Sequence, residues 1–208
     1  MIRRCLIGVL TLVLGGCLMR GSGTAVYDAT TGTRLATTIR SGLFLTTVRI
    51  GGRDAGPFLI DTGSTGNVID TDLAQTLPLR ILQARYDTES QQTIRLAAVG
   101  DLTVGPITLR DPSVVIMDLS SITSGFGERI AGVLGYPFFA TAVVEVDYVR
   151  QSVSCFDPAG YRLPRGAWQP LILRMQLPGA AARMDGDVEG VFVLDTGSNG
   201  TGHFFSDF

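Results

Sequence analysis

Apolar residues along this chain fall in short runs, many of them alternating, cut by glycine, proline or aspartate. That spacing suits strands and turns better than long helices. The run LFLTTVRI, the turn GGRDAG and the run PFLID predict a hairpin that starts near residue 43 and delivers Asp61 at its end. TIRLAAV and LTVGPITLRDPSVVIMDL predict three or four further strands, punctuated by Gly100, Gly105 and the Asp111-Pro112 pair. In IAGVLGYPFFATAVVEVDYVRQSVSCFDP, an apolar turn containing glycine precedes a short helix at 137–141 and a closing hairpin that turns around Arg150 and Gln151. The pattern is that of an all-β protein.

Residues 159–170, AGYRLPRGAWQP, break this texture with proline and glycine and read as a linker. Beyond them LILRMQL and GVFVLD repeat the opening of the first unit. The N-terminus differs from both units. MIRR followed by CLIGVLTLVLGG is a basic segment and then an apolar stretch short for a bilayer span, the design of a secretory signal. It runs into LGGC, which resembles the bacterial lipobox; the resemblance implies an acylated Cys17 at the mature N-terminus. An ordinary signal peptide cleaved close to a cysteine is the alternative. Leu18 after that cysteine leans, by the same resemblance, toward an outer-membrane lipoprotein facing the periplasm. The expected organisation is a signal at 1–16, a polar tether at 17–42, a first lobe at 43–158, the linker, and an incomplete second lobe at 171–208.

Composition narrows the chemistry. Of 208 residues 45% are hydrophobic, enough for one medium domain or two small ones with real cores. A net charge of −2 gives no footprint for nucleic acid. All 17 basic residues are arginine, which reads as coding bias. No phosphate-binding loop and no strand-glycine-helix fingerprint occurs, so no nucleotide cofactor is expected. With Cys5 in the signal and Cys17 acylated, Cys155 has no disulfide partner and reads as a small core residue. His203 is the one histidine and has no second ligand beside it, so no metal site is expected. Trp168 is expected to pack between the lobes.

The chemistry lies in a loop written twice, as FLIDTGSTG around Asp61 and as FVLDTGSNG around Asp195. Each copy is an apolar strand that delivers an aspartate into a turn with glycine and hydroxyl groups. One such aspartate is an ordinary polar turn. Two brought face to face cannot both ionise, so they share a proton; one then serves as base toward water while the other donates to a carbonyl. Approximate twofold symmetry is the simplest way to bring two identical loops together.

These loops, with IAGVLGYPFF and the terminal VVEVDYVRQSVSCFDP, resemble the bacterial pepsin/retropepsin-like aspartic peptidases, across about residues 43–157 and partially across 170–200. The resemblance implies an all-β acid-protease closed barrel, one complete lobe plus the start of a second, that hydrolyses peptide bonds without metal or cofactor. It implies Asp61 and Asp195 as the catalytic pair, Thr62 and Thr196 as braces between the loops, and Gly63 and Gly197 as residues that permit the turn. Ser64 and Ser198 match the position whose hydroxyl supports the aspartate. Val133, Leu134 and Gly135 match the strand threaded beside the active loop, with Gly135 giving clearance. A flap is expected within 86–100, where Tyr86 is the one candidate for its tyrosine.

The second copy departs from the family pattern, because residues 196–208 hold no flap and no second apolar-glycine motif. A C-terminally truncated bilobal protein is therefore one expectation, with exposed sheet edges and apolar surface as its mark. A homodimer that uses two copies of Asp61 is another, since 43–158 is long enough for a retropepsin-like protomer. A lipid-anchored protein of the same fold that binds peptides without cutting them is the third.

Overall fold

The computed structural model describes residues 24–87, 92–184, 186 and 188–200. The signal, Cys17 and His203 lie outside the described residues, as does the tip of the hairpin in the expected flap region. Strands β1 (Thr24–Tyr27), β2 (Thr37–Arg40), β3 (Leu43–Ile50), β4 (Arg53–Ile60) and β5 (Val68–Asp70) lead to the short helix α1 (Thr71–Gln75). β6 (Arg80–Asp87), β7 (Gln92–Ala98), β8 (Leu102–Val104), β9 (Ile107–Arg110) and β10 (Ser113–Met117) follow, then α2 (Ser120–Phe126). β11 (Gly132–Leu134), α3 (Tyr136–Phe139), β12 (Val143–Asp147) and β13 (Ser152–Phe156) complete the first unit; β14 (Ile172–Arg174), β15 (Leu177–Met184) and β16 (Val188–Val193) form a separate antiparallel sheet.

The protein is all-β, as its apolar pattern predicts. Its main sheet runs β1-β9-β8-β3-β4-β11-β5-β10-β7-β6, with β2 on β3, and curls into a half-barrel whose ends are β1 and β6. The central strands are most apolar where both faces are buried, at residues 43–45, 58–60 and 132–134. In β3, Phe44 and Val48 enter one core while Leu43 and Leu45 enter the other; in β4, Phe58 and Ile60 oppose Leu59 in the same way. The β3–β4 turn needs left-handed backbone at Gly51 (φ 57°) and Gly52 (φ 79°), which glycine adopts freely. Helix α3 starts one residue earlier than the sequence suggests, because Pro137 fits the first turn, where no donated hydrogen bond is required.

Residues 24–40, expected within the tether, contribute two strands. β1 pairs antiparallel with β9 and β2 with β3, and Leu35 between them is buried. At four residues each, with exposed and half-buried positions alternating, TAVY and TTIR are too short to show their strand nature until the edges they cover are known. Cys155 on β13 is fully buried and its thiol is pushed up to about 12 by burial, so it is a core residue with no nucleophilic character at neutral pH.

One threading decides where the first aspartate goes. β11 lies between β4 and β5, parallel to β4 and antiparallel to β5, and β5 in turn runs parallel to β10. The loop from 61 to 67 must therefore arch over the end of β11 to join strands on either side of it. Gly132 makes the insertion sterically feasible: a Cβ there would lie 2.2 Å from the Phe58 ring and 2.4 Å from the Val68 carbonyl oxygen.

Candidate active site

Asp61 follows the last residue of β4, and Asp195 comes two residues after the end of β16. The loops they open meet through hydrogen bonds that nearly repeat under exchange of the two copies. Thr62 Oγ1 donates to the Leu194 carbonyl at 2.5 Å, and Thr196 Oγ1 donates to the Ile60 carbonyl at 2.9 Å. Each backbone amide donates to the other threonine's hydroxyl: Thr62 N–H to Thr196 Oγ1 at 3.1 Å and Thr196 N–H to Thr62 Oγ1 at 3.0 Å. The carbonyls so engaged belong to the residues directly before the two aspartates. This fixes the direction in which each carboxyl leaves its loop.

Within its own loop each aspartate is held alike. Gly63 N–H donates to Asp61 Oδ1 at 2.7 Å and Gly197 N–H to Asp195 Oδ1 at 2.8 Å. The loop glycines allow a close approach. Neither Gly63 nor Gly197 has a left-handed φ, so turn geometry does not require glycine there. The opposite loop does: a Cβ on Gly63 would lie 2.6 Å from Asp195 Cγ, and a Cβ on Gly197 would lie 2.2 Å from Asp61 Cγ. Each carboxyl rests against the bare backbone of the other loop.

Asp61 retains some solvent-accessible surface yet is densely surrounded by protein. Burial is the first cause that raises its pKa well above the ordinary carboxyl range, followed by the charge of Asp195 and a hydrogen bond between the two side chains. The backbone amides of Gly63 and Ser64 oppose the shift by favouring the charged form. The serine hydroxyls point elsewhere than the family pattern implies. Ser64 Oγ donates to the Gly66 carbonyl at 2.8 Å, and Ser198 Oγ accepts from Gly200 N–H at 3.3 Å. They brace their own turns; what Ser64 offers Asp61 is its backbone amide.

The end of β11 supports the first loop from below. Leu134 carbonyl accepts from Asp61 N–H at 3.0 Å, and Tyr136 N–H donates to the Ser64 carbonyl at 2.8 Å. Val133 pairs with Leu59, and a Cβ on Gly135 would lie 2.2 Å from the Gly66 carbonyl oxygen, so Gly135 supplies clearance here. Two polar residues of this region escaped the sequence reading. Asn67 is buried and accepts from Gly135 N–H at 3.0 Å; Asp70 caps α1 through Asp72 N–H, accepts from Leu119 N–H and pairs with Arg129. The signal was present in GNVIDTDL, where Asn and Asp interrupt an apolar run and an Asp-Thr-Asp stretch opens a helix.

Other candidates sit apart from these loops. Tyr86 lies on edge strand β6 opposite Thr93 and is 63% exposed. Trp168 stacks edge-on against Tyr161, with ring centroids 5.9 Å apart, and is 68% exposed. Among the described residues no group of His, Cys, Asp and Glu could hold a metal ion. Leu171, Leu173, Met175, Val193 and Leu194 of the second unit are each roughly half exposed.

Two sheets each lead into an Asp-Thr-Gly loop, and the two loops grip each other through their threonines. Residues 46–138 match the family model described as aspartyl protease, a span that contains Asp61 and the Val133–Gly135 strand and ends before Asp195. Among solved structures the chain is similar to a retropepsin-like aspartic protease from Rickettsia conorii, at 13% identity and a TM-score of 0.44, over 62% of this chain and 96% of that one. That likeness is too distant to bear on activity or assembly. No curated protein matches the sequence.

Two outcomes follow from this geometry. Replacing Thr196 by Val removes the hydroxyl that both donates to Ile60 and accepts from Thr62, leaving two backbone groups unpaired at about 1–3 kcal/mol each where they are buried. Limited proteolysis should then cut the exposed 159–170 linker several-fold faster than in the parent, and an unchanged rate would contradict the grip. For Asp61, a native pKa raised above the unfolded value of about 3.9 means that the folded state binds the proton more tightly. Its stabilising contribution is complete below that value and is lost as pH rises through the raised native value. Thermal melts of Asp61→Asn should therefore match the parent near pH 3 and exceed it at pH 7, by about 2–4 °C per kcal/mol relieved.

Proposed function

We propose that this protein is an aspartic endopeptidase in which Asp61 and Asp195 share one proton and activate a water molecule against a peptide carbonyl. The observation that carries this reading is the reciprocal Thr62–Thr196 network, which sets each carboxyl against the other loop's glycine. The proton belongs to the pair. One carboxyl donates to the scissile carbonyl oxygen while the other, as carboxylate, accepts a proton from the attacking water. Collapse of the tetrahedral intermediate sends a proton to the leaving amine and restores the shared one. No covalent enzyme intermediate forms. The β6–β7 hairpin is the expected flap over a bound peptide.

The experiment is cleavage of a broad peptide library at several pH values, with and without pepstatin, by the chain from Leu18 onward and its Asp61→Asn and Asp195→Asn variants. The proposed dyad requires each substitution to lower kcat by about 10³-fold or more. Dependence on Asp61 alone would move the activity to a homodimer of first lobes. Pepstatin binding without turnover would make the protein a peptide binder.

Acylation of Cys17, and with it attachment to the outer membrane, is proposed on the LGGC sequence, which lies outside the described residues. Radiolabelled palmitate should enter the expressed protein and fail to enter Cys17→Ser; equal labelling of both would end that reading.

A further inference from the structure

Asn67 stands directly before β5, and only 1% of its surface is exposed. Its Oδ1 accepts from Gly135 N–H at 3.0 Å and its own carbonyl accepts from Val115 N–H at 2.8 Å. Its Nδ2 is buried with no hydrogen-bond partner. An unpaired buried donor costs about 1–3 kcal/mol, so packing alone does not call for an amide here. What only the amide supplies is the acceptor for Gly135.

That acceptor completes a series. Three consecutive residues at the end of β11 are tied to the first loop: the Leu134 carbonyl by Asp61 N–H, Gly135 N–H by Asn67 Oδ1, and Tyr136 N–H by the Ser64 carbonyl. The middle tie is the one made by a side chain, and it sits where a Cβ would collide with the Ser64 and Gly66 carbonyls. Without it Gly135 N–H is left buried and unpaired, and the strand end that carries the Asp61 amide is free to shift. A displacement of about 1 Å at a reacting group costs on the order of 100-fold in rate, so small movements at this contact reach the chemistry.

We propose that Asn67 is a positioning residue for Asp61: by holding Gly135 N–H it locks the end of β11 beneath the loop that aims the Asp61 carboxyl at Asp195. The catalytic part of this inference rests on the peptidase reading above; the structural part does not.

The test compares Asn67→Leu, which keeps the branched shape and removes the acceptor, with Asn67→Asp, which keeps an acceptor. Amide hydrogen exchange should quicken at least tenfold at Asp61, Gly135 and Tyr136 in Asn67→Leu, while amides of β8 and β9 stay at the parent rate. In peptide cleavage kcat should fall about tenfold or more with KM within twofold. Asn67→Asp, assayed below about pH 3.9 where the substituted carboxyl is neutral, should return kcat to within threefold of the parent. Unchanged local exchange, a uniform rise across the whole lobe, or no rescue by Asn67→Asp would overturn the proposal. A parent that cleaves nothing while the local exchange change is present would sink the peptidase reading and leave the lock at Gly135 in place.

Discussion

Two carboxyl groups pressed against each other's loop backbone are the constraint on which the rest of the site depends. Like charges at such range resist joint ionisation, and burial adds to the cost, so the pair is tolerable only when a proton is shared and the flanking backbone is fully hydrogen-bonded. The threonines meet the second requirement by exchanging amide and hydroxyl bonds across the contact. The glycines meet the steric one by offering no side chain to the opposite carboxyl. Replacing any of these four residues by a larger or apolar side chain leaves either a collision or an unpaired backbone group, which is why the motif appears as a unit of Asp, Thr and Gly in both copies.

The first loop inherits its rigidity from a topology that costs local convenience. β11 enters between β4 and β5 and prevents them from pairing directly, so the chain must arch over it. Phe58, Val68 and Ile69 close around Gly132, and Leu134, Gly135 and Tyr136 each bond to the arch. The second loop has no counterpart of β11 beside β16 among the described residues, where β16 pairs with β15 alone. Its aspartate is aimed by a three-stranded meander and by the threonine grip.

What could be read from the sequence followed from locality. The β3–β4 hairpin, the paired loops and the closing β12–β13 hairpin are each encoded within a few neighbouring residues, by alternation, by Gly51-Gly52 and by the repeated Asp-Thr-Gly. β1 and β2 are hard to read because each is only four residues long with exposed and half-buried positions alternating, and β1 pairs with the distant β9. The group for which Gly63 and Gly197 make room escaped for a deeper reason. Glycine after Asp-Thr suggests a turn, but the requirement comes from a carboxyl on the other side of the contact, 134 residues away for the paired threonines. Asn67 stands out locally as a polar residue before an apolar strand, but its partner Gly135 lies 68 positions away.

The two halves of the site therefore rest on unequal foundations. The first loop stands on a sheet buried on both faces, where each large apolar side chain contributes about 1.5–3 kcal/mol. The second stands on strands whose Leu173, Val193 and Leu194 remain about half exposed, so apolar burial contributes far less there. Its placement leans on four threonine-mediated hydrogen bonds, each worth about 0.5–1.5 kcal/mol net, against a backbone ordering cost of about 1–2 kcal/mol per residue. Covering the exposed face of the second sheet would therefore strengthen the pair without touching either aspartate.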